Sequence, residues 1–221
     1  MSGARLAVLV SGQGRNLQAI LDAVAARKLP VTVAGVVSNR ADAGALERAR
    51  AAGVPAAVVP HADYADRAAF DAALLAALEA LRPDFVAMAG FMRVLGDGVI
   101  RRLRGRMVNI HPSLLPKHRG LHTHRRVLET GDAEHGASVH YVTEELDGGP
   151  VAIQGRFRVL PQDNERTLAE RVMQEVELKI YPQALAWMAR GELSWTGQGL
   201  RFRGQPLAAP LTLDDLEPAF R

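Results

Sequence analysis

Apolar segments alternate along the chain with segments of helical composition. Five continuous apolar runs, several rich in β-branched residues, predict strands at Leu6–Val10, Val31–Val37, Ala56–Val59, Phe85–Ala89 and Met107–Ile110. Stretches rich in alanine and leucine predict helices at Leu17–Ala26, Ala45–Ala52, Ala68–Leu81 and, more briefly, Gly98–Leu103. Because these strands are apolar throughout rather than alternating, they should be buried on both faces. The alternation predicts an α/β fold with a mostly parallel sheet.

The pattern changes after residue 111. Residues 112–124 contain two prolines and a glycine and are predicted to be irregular. Further helices are predicted near Arg125–Thr130 and over Thr167–Arg190, and further strands at Ala137–Val142 and Val151–Val159. Pro182 should kink or restart the long helix.

No internal repeat or low-complexity linker divides the sequence. One domain is therefore predicted over residues 1–221, with a compact part of about 5–190 and a tail of about 192–221. The tail should begin with a small hairpin around Thr196–Gly199, and residues 206–221 are expected to be loosely held.

The composition is that of a globular protein and excludes any site that requires cysteine. Hydrophobic residues make up 48% and charged residues 23%, as in a globular domain with a sizeable core, and the absence of cysteine excludes disulfides, thiolate metal sites and a cysteine nucleophile. The net charge is +3. The densest basic cluster, around Arg101–Arg106, contains no aromatic residue, so dispersed surface arginines are favoured over a nucleic-acid face.

Two observations concern location. No apolar stretch approaches the ~18 residues of a membrane span, and the first five residues lack the pattern of a signal peptide. A cytoplasmic protein without membrane or nucleic-acid partners is therefore predicted. The sequence does not fix the oligomeric state, and a homodimer is one option.

A glycine turn follows the first predicted strand. Ser11-Gly-Gln-Gly-Arg-Asn-Leu17 lies between that strand and a helix, where backbone N–H groups and the helix dipole favour an anion, usually a phosphate. A dinucleotide fingerprint would need a glycine at Leu17 and an acidic residue near Asn39, so NAD is disfavoured. A tight turn without a ligand is the alternative.

The most informative segment is Asn109-Ile-His-Pro112. Asn109 and His111 share one face of a strand at its carboxyl end, where α/β sheets bind their ligands. An amide donor beside a group that titrates near neutrality suits acyl transfer to an amine. Asp147, in a glycine-rich turn, would favour protonated His111 if the two were close. The alternative for Asn109 and His111 is a structural role, in which their hydrogen bonds cap the strand. The alternative for Asp147 is an ordinary Asp-Gly turn.

Other catalytic constellations find little support. His122 and His124 lie in an irregular segment without an acidic residue at ligand spacing, so no metal site is predicted. No Gly-x-Ser-x-Gly sequence occurs, which argues against a serine nucleophile.

Several motifs in one order resemble the folate-dependent phosphoribosylglycinamide formyltransferases. They are Ser11–Gln18, Ala89–Leu95, Asn109–Pro116, Gly120–His124 and Glu145–Pro150, within a match over about residues 5–190. The resemblance implies a Rossmann-like formyltransferase fold, with helices on both faces of the sheet and antiparallel strands added in the C-terminal half. It also implies formyl transfer from 10-formyltetrahydrofolate to the amine of 5-phosphoribosylglycinamide, in de novo purine biosynthesis.

The same resemblance assigns roles to residues of this chain. The implied catalytic residues are Asn109, His111 and Asp147. The implied binding residues are Gly14, Arg15 and Asn16 for the substrate phosphate, Glu177 for its ribose or amino end, and Arg67, Met92, Arg93, Val94, Leu95 and Asn109 for the folate. Arg15 departs from the small hydroxyl residue usual in the family, and Arg119 stands where proline is frequent.

Three other functions fit parts of the sequence. Methionyl-tRNA formyltransferases resemble the chain but carry a further C-terminal domain, and formyltetrahydrofolate deformylases usually carry an N-terminal regulatory domain. The glycine loop favours a phosphorylated acceptor over water. A nucleotide-binding module without catalysis would not require Asn109, His111 and Asp147 together.

Overall fold

The computed structural model describes residues 3–221, which divide into two units. Unit 1 extends through Asn109, and unit 2 spans Ile110–Arg221. One domain over residues 1–221 stays a prediction. Residues 1 and 2, part of the segment that lacks a signal-peptide pattern, lie outside the described residues. Within residues 3–221, no helix has both the length and the apolar character needed to cross a bilayer.

Unit 1 is a parallel sheet with intervening helices. Its strands are β1 (Ala4–Val10), β2 (Val31–Ser38), β3 (Ala56–Val58), β4 (Phe85–Met88) and β5 (Met107–His111), the last of which ends two residues into unit 2. Its helices are α1 (Arg15–Ala25), α2 (Gly44–Ala51), α3 (Arg67–Ala80) and α4 (Asp97–Arg102). The strands are paired in parallel in the order β3-β2-β1-β4-β5.

The position of β1 explains its composition. It pairs with β2 on one side and β4 on the other, and Leu6–Val10 are almost completely buried. The chain proceeds from β1 outward to β3 and then returns to β4, so the strand order reverses between β1 and β4. Open α/β sheets bind their ligands at such a point, beyond the carboxyl ends of the strands.

Unit 2 contains an antiparallel pair and a long helical region. The pair is β6 (Glu134–Tyr141) and β7 (Val151–Arg158). The helices are α5 (Thr123–Thr130), α6 (Glu165–Arg171) and α7 (Leu178–Ala189), with π-helical residues Val172–Glu177 between the last two. Pro182 lies inside α7, so the predicted restart there is wrong and the irregular turn comes earlier. Parallel strands with helices, followed by antiparallel strands, confirm the predicted fold class.

The C-terminal tail is packed rather than loosely held. A small antiparallel sheet of β8 (Leu193–Trp195), β9 (Leu200–Phe202) and β10 (Gln205–Pro206) confirms the predicted hairpin. Beyond it, Leu211, Leu216 and Phe220 are buried. The Trp187 indole donates to the Glu217 carboxylate, which also pairs with Arg190. The expectation for residues 206–221 is therefore wrong, because a few apolar and charged side chains fix this segment.

Candidate active site

The glycine loop lies between β1 and α1 and packs closely on α2. Gly14 caps α1 in the left-handed region, with φ 74°. A Cβ at Gly14 would lie 2.6 Å from the Ala45 Cβ, which only glycine avoids. The Ala45 N–H donates to the Gly12 carbonyl at 3.0 Å, and Arg48 Nε donates to the Gln13 carbonyl at 2.7 Å. Contacts from α2 therefore hold the predicted phosphate loop in place, and the first N–H groups of α1 lie beside it.

Gly14→Ala should destabilise the protein, whereas Gly12→Ala should not. The Gly14 variant adds both a left-handed alanine and a collision with Ala45, at a cost of about 1–3 kcal/mol or more. Nothing lies within 4 Å of a Cβ at Gly12, so its variant should stay within about 1 kcal/mol of wild type. Urea unfolding of both variants measures the difference, and equal stabilities would refute this description of the loop.

Ser11 connects this loop with two other strand ends. Its hydroxyl donates to Asn39 Oδ1 at 2.5 Å and accepts the Met92 N–H at 2.8 Å. The Asn39 amide nitrogen lies 3.3 Å from His61 Nδ1. Sequence reasoning missed Ser11 and Asn39 as site-forming residues. The available signal was their position, since each is a polar residue directly after a buried strand or at its end.

The segment after β4 carries the predicted folate residues. Phe91 and Leu95 are buried, whereas Met92 and Val94 are 66% and 57% exposed and Arg93 is also exposed. Arg67, at the start of α3, donates to the Leu95 carbonyl. The structure therefore brings Arg67 to the predicted segment and leaves two apolar side chains of that segment facing solvent.

The predicted imidazole and carboxylate are adjacent in unit 2. His111 ends β5, two residues after half-buried Asn109, and its Nδ1 lies 3.4 Å from Asp147 Oδ2. The same carboxylate accepts the Gly120 N–H at 2.8 Å and lies 3.5 Å from His140 Nε2. Asp147 has φ 48°, a left-handed conformation that aspartate and asparagine tolerate better than most residues. Sequence reasoning missed His140, whose signal was its place near the end of the strand before this turn.

Burial, opposed by hydrogen bonds and nearby charges, sets the charges of this pair. It lowers the pKa of His111, and this effect outweighs the opposing effects of Asp147 and the His118 carbonyl. Burial opposes ionisation of Asp147, but hydrogen bonds from His140 and Gly120 and the nearby imidazole leave its pKa below the ordinary value. Near neutral pH the imidazole is therefore mainly neutral and the carboxylate ionised. Asp147 does favour protonated His111, as expected from the sequence, but burial outweighs its effect.

The acceptors around His111 are nevertheless arranged for an imidazolium. Its Nε2 donates to the His118 carbonyl at 3.0 Å, while Nδ1 faces Asp147. A neutral imidazole has one N–H and can donate to only one of these acceptors, whereas an imidazolium can donate to both. Positive charge that develops on His111 during a reaction is therefore stabilised by groups already in place.

Glu177 is buried in the π-helical turn of unit 2. Burial, with Glu177 nearby, raises the pKa of Tyr181 well above its ordinary value. The glycine loop, Arg67 and the segment of Met92 belong to unit 1, whereas Glu177, His111 and Asp147 belong to unit 2. Within residues 3–221, no group of three or more His, Asp or Glu side chains is placed to hold a metal ion.

Two other histidines form a buried pair. His124 Nδ1 lies 2.9 Å from His135 Nε2, and His135 Nδ1 has no hydrogen-bond partner among the described residues. Burial and the neighbouring His124 lower the pKa of His135 to about 3. The folded protein therefore holds His135 neutral where the unfolded chain would protonate it.

The stability of the protein should fall as the pH decreases below about 6.5. His135 binds a proton in the unfolded chain before it does in the folded protein, so each pH unit between its two pKa values costs about 1.4 kcal/mol. His135→Gln cannot titrate, so from pH 6.5 to 5 it should lose about 2 kcal/mol less than wild type. Chemical unfolding at several pH values measures both slopes, and equal slopes would contradict this effect.

Comparison with known proteins agrees with the geometry. A family profile described as formyl transferase matches residues 4–185. The phosphoribosylglycinamide formyltransferase of Escherichia coli (strain K12) is 47% identical over 202 residues, or 91% of this chain and 95% of that protein. A trifunctional purine biosynthetic protein of Homo sapiens is 42% identical over 85% of this chain, which spans 18% of that protein.

Solved structures give the same result. The phosphoribosylglycinamide formyltransferase of Coxiella burnetii, in complex with CHES, has a TM-score of 0.90 and 43% identity, covering 96% of this chain and 99% of that one. A glycinamide ribonucleotide transformylase from Symbiobacterium toebii has a TM-score of 0.87 and 44% identity, covering 90% and 94%. The chain therefore belongs to the formyl transferase family, and within it to the phosphoribosylglycinamide formyltransferases.

Proposed function

We propose that Asn109, His111 and Asp147 catalyse the reaction of this family in the present chain. The reaction transfers the formyl group of 10-formyltetrahydrofolate to the amine of 5-phosphoribosylglycinamide, giving formylglycinamide ribonucleotide and tetrahydrofolate in purine biosynthesis. The observation that carries the assignment of residues is the buried contact between His111 and Asp147 at the end of the strand that holds Asn109.

The chemistry requires one nucleophilic attack and one proton transfer. The amine nitrogen bonds to the formyl carbon, and the carbonyl electrons move to its oxygen as an oxyanion. The oxyanion then reforms the carbonyl, the bond to the folate N10 breaks, N10 gains a proton and the new amide nitrogen loses one. Asn109 supplies an N–H donor to the oxyanion, and His111 carries the proton and its positive charge next to Asp147.

The acceptor substrate carries a phosphate, for which the glycine loop supplies N–H groups. Gly14 and Asn16 lie at the start of α1, where the helix dipole adds to the attraction. Arg15 replaces a hydroxyl with a guanidinium, which can pair with two phosphate oxygens. Glu177 supplies a carboxylate for the ribose hydroxyls or for the substrate amine.

The folate site has apolar and polar components in unit 1. The exposed side chains of Met92 and Val94 provide apolar surface for a flat ring, and the backbone groups of Met92–Leu95 that Ser11 and Arg67 do not occupy provide hydrogen bonds. Arg67 fixes the Leu95 end of this segment. Arg67 and Arg93 are the two positively charged residues assigned to the folate site. Their guanidinium groups suit the carboxylates of a folate tail.

The substrates are small molecules, in accord with the family. A cytoplasmic location, the absence of nucleic-acid and membrane partners, and a homodimer in solution remain proposals. Size-exclusion chromatography with light scattering determines the oligomeric state.

The direct test is incubation with 5-phosphoribosylglycinamide and 10-formyltetrahydrofolate while tetrahydrofolate release is followed. Release that depends on the amine substrate supports the proposal, and the same reaction with water as acceptor is the control. Formate release without the amine substrate would instead indicate a deformylase.

A further inference from the structure

The irregular segment before α5 reaches the catalytic pair through its backbone. The His118 carbonyl accepts the Nε2–H of His111 at 3.0 Å, and the Gly120 N–H donates to Asp147 at 2.8 Å. These contacts depend on where the backbone of residues 118–120 is held, and not on which side chain stands there. Any group that fixes this backbone therefore influences the geometry of His111 and Asp147.

His118 adopts an unusual backbone conformation that its side chain helps to hold. Its φ is 53°, in the left-handed region that residues with a Cβ adopt only when other contacts support it. Its ring donates from Nε2 to Asp132 Oδ2 at 2.7 Å, and the side chains are only 8% and 17% exposed. The His118 hydrogen bond, together with Lys117, keeps the pKa of Asp132 below its ordinary value despite partial burial.

The neighbouring carbonyls have other partners. Ser113 Oγ donates to the Lys117 carbonyl at 2.7 Å, and Arg126 Nη1 donates to the Arg119 carbonyl at 2.6 Å. Three consecutive carbonyls are therefore all engaged, and the middle one is bonded to the catalytic imidazole. Lys117 Nζ also lies 3.0 Å from Asp132, but its side chain is 62% exposed and makes an ordinary surface ion pair.

We propose that His118 and Asp132 are positioning residues for His111. Their hydrogen bond holds residue 118 in its left-handed conformation, and the carbonyl of that residue then orients the imidazole so that Nδ1 faces Asp147. The kinetic consequences rest on the proposed function, whereas the effect on the imidazole does not. Among the described residues, the variants below leave unaltered the other charged or titratable groups that interact with His111, namely Asp147, His140, Arg126, His124 and His135.

The test uses His118→Gly and Asp132→Ala in the full chain. Glycine adopts the left-handed conformation freely but makes no bond to Asp132, so the carbonyl is released. We expect kcat to fall about 10-fold with both KM values within about 2-fold of wild type. Because the imidazolium loses one acceptor, the acidic limb of the pH profile should move down by about 0.5–1 unit.

Nitrogen-15 NMR of His111 gives a readout that does not require turnover. In both variants the neutral ring should shift toward the tautomer protonated at Nδ1, while Lys117→Ala should match wild type in kinetics and spectrum. If His118→Gly does not fold, Asp132→Ala keeps the histidine, removes the acceptor of its ring N–H and provides the same test. An unchanged His111 tautomer and pH profile in a folded variant would overturn the proposal, even if kcat fell. Failure of wild type to formylate its substrate would affect the proposed function only.

Discussion

Asp147→Asn is expected to lower kcat by about 10²–10⁴ while the protein still folds. Asparagine has the same shape and tolerates φ 48°, and its amide oxygen can still accept the Gly120 N–H. What disappears is the negative charge that lies 3.4 Å from His111 Nδ1. Without it the imidazolium that forms during proton transfer has no counter-charge, in a site where burial already lowers the pKa of His111.

The matched control is Glu145→Gln, two residues earlier in the same turn. Glu145 is exposed and pairs with Arg119 at the surface, so its loss should leave kcat within about 3-fold of wild type. Steady-state kinetics at saturating substrate, with urea unfolding of each variant, separate catalysis from folding. An Asp147→Asn variant that turns over as fast as wild type would remove this carboxylate from the mechanism.

Asn109→Ala should lower kcat by about 10²–10³, which is the usual cost of deleting one donor to an oxyanion. Because the donor acts mainly on charge that develops in the transition state, KM for each substrate should change much less. Asn109→Asp keeps the size of the side chain but exchanges the N–H donor for an acceptor, so it should be at least as inactive. If Asn109→Ala instead raised KM and left kcat unchanged, Asn109 would bind substrate without stabilising the oxyanion.

The sequence predicted the parts of the fold that follow from local composition. The central strand β1 is apolar throughout because β2 and β4 flank it, and such runs are visible without a structure. Asn109 and His111 could be identified from the sequence for a related reason. Burying two polar residues at the end of a strand costs folding free energy unless they have hydrogen-bond partners or a function.

The contacts around His111 and Asp147 could not be predicted in the same way. The approach of His140 to Asp147 depends on how the turn after β6 folds back on that strand. The His118 carbonyl depends on a left-handed conformation at position 118, which is uncommon for any residue with a Cβ and is not marked by the local sequence. Both contacts arise from tertiary structure, and the balance between burial and Asp147 that sets the charge of His111 arises from it as well.

The tail is more ordered than the sequence predicted. Residues 206–221 contain three prolines, which disfavour regular structure, yet Leu216 and Phe220 are buried and Glu217 accepts from the Trp187 indole. A small number of well-placed contacts is enough to order such a segment, and sequence composition does not report placement.

A crystal structure with 5-phosphoribosylglycinamide and a non-transferable formyl-folate analogue tests the central assignment most directly. We predict the formyl oxygen within hydrogen-bond distance of the Asn109 amide, the formyl carbon beside the His111 ring, and the phosphate on the N–H groups of the Gly12–Gly14 loop. A formyl carbon remote from both Asn109 and His111, or a phosphate bound away from that loop, would contradict the account.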